Sequence, residues 1–298
     1  MSVPSPLHTE PMLRLETVSY TYDHPAGAVP DFALREISLT LYPGEMVAVI
    51  GQNGSGKTTL ARLCNGLLRP TSGRVLIGGE ETRTRSVAEL APRVGYVFQN
   101  PDHQLFAPTV AEDVAFGPRN LGLPAAEVEQ RVQTVLTELA LMSLTDQHPL
   151  LLGHGGRRLV ALAGVLALGS PVLILDEPTS GLDQASGDRL FRVLHRRRER
   201  GDAALLISHH FALVAAHASR VIVLAGGRLV AEGEPRRILT DPALLARAGL
   251  APTGLTRLAH RLAPLGVPSD VLTVDELADA YERVYRRRTR PTSAREPT

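Results

Sequence analysis

The sequence predicts an α/β fold, a mostly parallel sheet flanked by helices, on three observations. Short apolar runs alternate with helical patterns along its 298 residues, as in sheets whose strands are joined by crossover helices. One run, Met46 to Ile50, feeds a glycine-rich loop, Gly51-Gln52-Asn53-Gly54-Ser55-Gly56-Lys57-Thr58-Thr59. Another, Val172 to Leu175, ends in two adjacent carboxylates, Asp176 and Glu177. Open α/β sheets bind ligands beyond the C-terminal ends of their strands, so both runs deliver polar residues to the edge where chemistry is done.

Residues 1–11 carry three prolines and lack the basic start and apolar run of a secretory leader, so they read as a flexible N-terminus. Leu13 to Tyr22 and Ile37 to Leu41 alternate as strands of a smaller antiparallel sheet, which Gly73 to Ile77 continues. From about 105 to 169 the pattern turns helical. Ala204 to Ile207 forms a third buried strand, and Val221 to Leu224 with Arg228 to Ala231 read as a hairpin around Ala225-Gly226-Gly227. After Pro235 the chain is rich in Leu, Ala and Arg and helical, with Thr273 and Glu276 spaced as a capping box. The expected division is a main domain over 12–235, with a helical subdomain at about 105–169. A small helical extension over 236–285 and a basic flexible tail over 286–298 follow it.

Composition bounds the function. With 44% hydrophobic and 21% charged residues the chain is an ordinary globular protein. A net charge of +1 supplies no overall field toward nucleic acid. Arg196 to Arg198 read as a solvated helix face, and Arg286 to Arg288 with Arg290 open the tail, with attraction to anionic lipid as a second reading. The single cysteine, Cys64, excludes internal disulfides and multi-cysteine zinc sites and reads as a packing residue. The longest apolar stretch, Leu159 to Leu168, is about half of the roughly 20 residues a membrane span needs, so the chain is expected in the cytosol unless a partner brings it to a membrane.

Of the 32 lysines and arginines only Lys57 is a lysine, and it sits in the pattern G-x-x-x-x-G-K-[ST]. A compact ammonium fits a site that a planar guanidinium does not. The glycines let successive N–H groups face an anion, and the helix opening at Lys57 adds its positive end. Lys57 reaches the β and γ phosphates of a nucleotide, and the Thr58 hydroxyl is a candidate Mg²⁺ ligand. The acids after Val172 to Leu175 complete a Walker B arrangement. Asp176 is placed to help hold Mg²⁺, and Glu177 to orient and deprotonate the attacking water.

The segment Leu175-Asp176-Glu177-Pro178-Thr179-Ser180-Gly181-Leu182-Asp183 resembles the Walker B and D-loop of ATP-binding cassette (ABC) ATPases. That resemblance implies a P-loop NTPase of the ABC ATPase fold, with a RecA-like core, an antiparallel β subdomain and a helical subdomain. It implies ATP and Mg²⁺ as ligands, and a head-to-tail dimer in which each ATP lies between one subunit's phosphate loop and the other's signature loop. Gln99 resembles the Q-loop glutamine, which meets Mg²⁺ and the transmembrane partner. His209 in Ile207-Ser208-His209 resembles the switch histidine, although His210 stands where the family often has aspartate and leaves the choice between the two open. Tyr22 resembles the aromatic that stacks on adenine, while Tyr20 and Tyr22 also alternate as plain strand residues.

The stretch from Phe98 to Pro118 is similar to the Q-loop region of energy-coupling factor (ECF) transporter ATPases, which energise uptake of vitamins and of cobalt or nickel. Ala248-Gly249-Leu250, Leu258-Ala259 and Thr273-Val274-Asp275-Glu276-Leu277 resemble that group's C-terminal extension. The implied protein is a peripheral ATPase on the cytoplasmic face of the cell membrane, working with a membrane scaffold subunit and a membrane substrate-binding subunit, and not with nucleic acid. A conventional ABC transporter ATPase is the alternative. A soluble ABC ATPase acting on nucleic acid or ribosomes is disfavoured, because such proteins usually carry a coiled-coil insertion, tandem cassettes or zinc cysteines.

One motif departs from the family. Where the signature loop reads Leu-Ser-Gly-Gly-Gln, an ungapped alignment offers Leu152-Gly153-His154-Gly155-Gly156, and a one-residue deletion instead equates His154-Gly155-Gly156-Arg157 with its last four positions. Either way the serine is missing. Losing one hydrogen bond to a charged group costs about 1.5–3 kcal/mol, roughly ten- to more than a hundredfold in an equilibrium. The resemblance therefore implies an asymmetric heterodimer with a second ABC ATPase, a homodimer remaining the alternative.

Overall fold

The structure, a computed structural model, describes residues 10–22 and 32–289, and of 287–289 the backbone alone. The chain runs through β1 (Leu13–Thr21), β2 (Phe32–Leu41), β3 (Met46–Gly51), α1 (Lys57–Cys64), β4 (Ser72–Ile77), β5 (Glu80–Glu81), α2 (Val87–Leu90) and β6 (Val94–Val97). Three helices follow, α3 (Val110–Asn120), α4 (Ala125–Glu138) and α5 (His154–Leu168). Then come β7 (Val172–Asp176), α6 (Gln184–Glu199), β8 (Ala203–Ile207), α7 (Phe211–His217), β9 (Arg220–Ala225) and β10 (Arg228–Gly233). The chain closes with α8 (Pro235–Leu239), α9 (Pro242–Arg247), α10 (Gly254–Leu262) and α11 (Val274–Thr289).

Two sheets form, one in the order β2-β1-β4-β5 and one in the order β10-β9-β3-β8-β7-β6. The first is antiparallel, and in the second β9-β3-β8-β7-β6 run parallel. Alternation along the parallel strands divides the core. Val47, Val49, Val172 and Ile174 pack with α1 and the antiparallel sheet. Met46, Leu173 and Leu175 pack under α3 to α6, while Ala48 and Ile50 meet α7 to α9. Burying a Val, Leu or Ile contributes about 1.5–3 kcal/mol, so this double-sided burial pins the strands whose ends carry the polar residues.

β6 was not anticipated, because Val94-Gly95-Tyr96-Val97 is short, buried throughout and shows no alternation. Gly95 is required there. A Cβ at this position would lie 2.7 Å from Val165 Cγ1, so only glycine lets α5 close onto the strand. The expected hairpin forms as β9 and β10, with Gly226 and Gly227 at positive φ in its turn.

Three expectations need correction. Arg196 to Arg198 are not a uniformly solvated face. Arg197 donates to the carbonyls of Leu166 and Ser170 and pairs with Asp202 at 2.8 Å, tying α6 to the end of α5. The capping box is half made: Thr273 accepts from the Glu276 N–H, but the Glu276 carboxylate reaches the Leu272 N–H and Arg236. Residues 286–289, expected in the tail, belong instead to α11, which continues to Thr289. Arg290 and the rest of the tail lie outside the described residues, as do 1–9 of the N-terminal segment. Cys64 is fully buried, and burial pushes its thiol up to about 12, as expected of a packing residue. Among the described residues no helix is long and apolar enough to cross a membrane.

Candidate functional site

Four adjacent parallel strands, β3, β8, β7 and β6, end on the same edge of the sheet. In that order they deliver the phosphate-type loop, His209, the acid pair and Gln99. Asp176 is in register with Ile207, and the Glu177 N–H donates to the Ile207 carbonyl at 3.0 Å, so the ladder carries the acids beside the end of β8. A cleft of about 440 Å³ opens there, lined by Tyr22, Asn53, Gly54, Gly56, Lys57, Thr58, Thr59, Gln99, Asp176 and Glu177, together with Ala33 and Ile207.

The loop is shaped for a close backbone approach. Gly56 caps α1 at φ 101 without a side-chain acceptor, leaving the first N–H groups of the helix to meet an anion. A Cβ on Gly56 would lie 2.6 Å from the Ala33 carbonyl oxygen, so both conformation and space demand glycine. Lys57 Nζ donates to the carbonyls of Gly51 and Gln52 at 2.8 and 2.7 Å. Burial draws its ammonium below the ordinary lysine value, against the opposing pull of Glu177 and Asp176. Gly51, Gln52 and Ser55 belong to the loop but do not line the cleft. Ser55 Oγ is buried without a partner among the described residues and a Cβ on Gly51 would press on it, while the Gln52 side chain donates to the Gly249 carbonyl.

Thr58 Oγ1 donates to Asp176 Oδ2 at 3.1 Å, placing a hydroxyl and a carboxylate side by side in the cleft. Burial raises the Asp176 carboxyl above its ordinary value, and the Thr58 hydrogen bond counters this. Glu177 is buried and held at φ 50, a left-handed conformation that a non-glycine residue adopts at a cost of about 1–3 kcal/mol and that recurs at functional sites. Its Oε1 accepts from the His209 N–H at 3.0 Å and from His209 Nδ1 at 2.7 Å. Its Oε2 is buried with no hydrogen-bond partner among the described residues. Of the two histidines left open by the sequence, His209 is therefore the one joined to Glu177. His210 sits at the N-cap of α7, its ring 4.8 Å from that of His209.

Tyr22 is 42% exposed, with its hydroxyl 3.0 Å from Thr59 Oγ1 and its ring edge-on to Tyr20. Gly153, His154, Gly155 and Gly156 lie outside the cleft and form the start of α5, where Gly153 caps the helix without a side-chain acceptor. The His154 ring covers Gly181, so that a Cβ on Gly181 would lie 2.3 Å from His154 Cδ2.

Sequence reasoning missed Arg158. Only 1% exposed, it donates to the Phe98 carbonyl at 2.7 Å and to the Gln99 carbonyl, tying the start of α5 to the residue that lines the cleft. Its signal was a charge bordering the apolar run Leu159 to Leu168. Arg157 adds an ion pair to Asp102 at 3.3 Å.

The ABC transporter family matches residues 34–180. The chain is 43% identical over 268 residues to an energy-coupling factor transporter ATP-binding protein, EcfA, of Methanothermobacter thermautotrophicus, covering 89% of this chain and 85% of that one. It is 43% identical over 251 residues to a cobalt import ATP-binding protein, CbiO, of Rhodobacter capsulatus, covering 84% and 88%. Among solved structures it resembles CbiO1 of Clostridium perfringens, part of the ABC transporter complex CbiONQ, with a TM-score of 0.69 and 32% identity over 85% of this chain and 99% of that one.

Proposed function

The chain belongs to the ABC transporter ATP-binding proteins, in their energy-coupling factor group, and from that premise we propose how its residues bind and hydrolyse ATP. The observation that carries the proposal is the row of strand ends that brings Lys57, Thr58, His209, Asp176, Glu177 and Gln99 to one edge of the sheet. ATP places its phosphates on the N–H groups of residues 51–59 and on Lys57, which leaves the loop carbonyls for the β and γ oxygens. Tyr22, half exposed at the cleft, offers a face to adenine.

The Thr58 hydroxyl and Asp176 carboxylate fit Mg²⁺, a hard cation that takes oxygen ligands and is often held by one or two carboxylates plus substrate phosphates. Gln99 is the third candidate ligand. When bound, the ion neutralises charge on the phosphate oxygens. Glu177 accepts the proton of the attacking water on Oε2, since Oε1 is already committed to His209. His209 holds the carboxylate in place and faces the γ-phosphate.

The protein acts at the cytoplasmic face of the membrane, coupling ATP turnover to uptake of a micronutrient, a vitamin or a cobalt or nickel ion, by a scaffold subunit and a substrate-binding subunit. An exposed aromatic pair supports docking beside the Q-loop segment: Phe106 and Phe116 are 60% and 46% exposed and meet edge to face at 4.6 Å. The start of α5 serves the ATP of a second, different ATPase subunit. With His154 where the family has serine or the adjacent glycine, that site hydrolyses poorly, and this chain's own Walker site works with its partner's intact signature. Turnover is measured for this chain alone and with a second ATPase encoded near it. Low activity alone and rescue by the partner is expected. Brisk turnover by the homodimer sinks the asymmetric reading.

A further inference from the structure

We propose that Gln52 is a positioning residue through which the C-terminal extension fixes the phosphate loop; this rests on the reading of that loop as the ATP site. Gln52 is the second residue of the loop, yet its side chain leaves the cleft and its amide Nε2 donates to the carbonyl of Gly249, 197 residues away. The backbone carbonyl of the same residue is a hub of the loop, accepting from Ser55 N at 3.1 Å and from Lys57 Nζ at 2.7 Å. Holding the side chain therefore limits movement of the peptide around which the phosphate loop folds.

The partner end is built for this contact. Gly249 has φ 68, and a Cβ there would lie 2.2 Å from Gln52 Nε2, so glycine is needed both for the conformation and for the approach. It follows α9, whose Leu245, with the adjacent Ala248, is buried in one cluster with Ala48 and Ile50 of β3, the strand that leads into the loop. Loop and extension thus share a core, and the Gln52 amide closes the circuit on the solvent side. A loop held in its working shape loses less freedom when phosphate arrives, so the contact raises ATP affinity without touching ATP.

The test uses the full chain in its assembled transporter with Mg-ATP as the probe. Gln52→Met keeps the length and removes the donor; Gly249→Ala displaces the acceptor. Losing one neutral hydrogen bond predicts a rise in KM for ATP of roughly two- to tenfold, with the loss falling on KM rather than kcat. The double variant is expected to lose no more than the worse single one, since both act through one contact. Because Gly249→Ala also strains the backbone, thermal midpoints accompany each variant, and Gln52→Met with an unchanged midpoint still decides the matter. An unchanged KM for Gln52→Met, or fully additive losses in the double variant, overturns the proposal. Failure of the unaltered chain to bind ATP at all instead overturns the functional reading beneath it.

Discussion

Replacing Glu177 by glutamine separates ATP binding from water activation, because the structure shows what the amide keeps and what it loses. Its oxygen can still accept from the His209 N–H and Nδ1, now 3.0 and 2.7 Å from Oε1. The left-handed backbone at residue 177 is occupied by a non-glycine residue in both proteins. The loss is confined to Oε2, a buried acceptor without a partner among the described residues, which becomes an amide nitrogen with two unpaired donors. Because that position is unpaired before and after the change, no new penalty of the roughly 1–3 kcal/mol class arises there, and the thermal midpoint is expected to hold. Turnover suffers instead. General-base catalysis supplies about 10²–10⁴ in rate, or about 3–5 kcal/mol of barrier, and the amide cannot take the proton. Phosphate release by the assembled complex is therefore expected to fall at least a hundredfold at this chain's own site, with ATP affinity within a few-fold of the original. Turnover within threefold of the unaltered complex would remove Glu177 from its role.

Arg158→Met removes two hydrogen bonds to the Phe98 and Gln99 carbonyls from a buried side chain. A loss of about 2–4 kcal/mol is expected, with faster amide hydrogen exchange across 98–104; unchanged melting and exchange refute the strut. The pairing of His195 Nε2 with His217 Nδ1 at 2.9 Å, with the His217 ring stacked on Phe191, predicts a pH response. Burial, with His195 and Arg198 adding repulsion, lowers His217 to about 4, against the pull of Asp188. Burial and Arg198 likewise lower His195, against Glu199. The unfolded chain binds the proton near pH 6.5, so this stability is intact above about 6.5 and is lost as pH falls toward about 4. The loss amounts to about 1–2 kcal/mol once solvent screening of the half-buried ring is allowed for. Urea midpoints at pH 7.5 and 5 measure it, and equal pH shifts for the unaltered chain and His217→Gln remove the pair from the explanation.

The phosphate loop, the acid pair and the approximate span of their strands were legible in the sequence because each follows a short apolar run. Buried parallel strands leave that signature wherever they occur. β6 escaped because four buried residues containing a glycine carry no periodicity, although Gln99 at its end was found through its motif. Arg197 and Arg158 were misjudged or missed for a different reason. A charge next to apolar residues reads as surface until the carbonyls it caps are known, and those carbonyls come from residues far along the chain or from the end of another helix.

The sequence by itself determined the chemistry of the cleft, since Lys57, Thr58, Asp176 and Glu177 announce it through residue type and local spacing. It also determined that residues 152–157 lack the serine of the family's signature loop. Only the tertiary structure decided which of two adjacent histidines meets Glu177, that Gln52 turns from the cleft to Gly249, and that His154 covers Gly181. These contacts join residues 32, 197 and 27 positions apart, and nothing local specifies them. They depend on the register of neighbouring strands and on the shared core that seats the extension against β3.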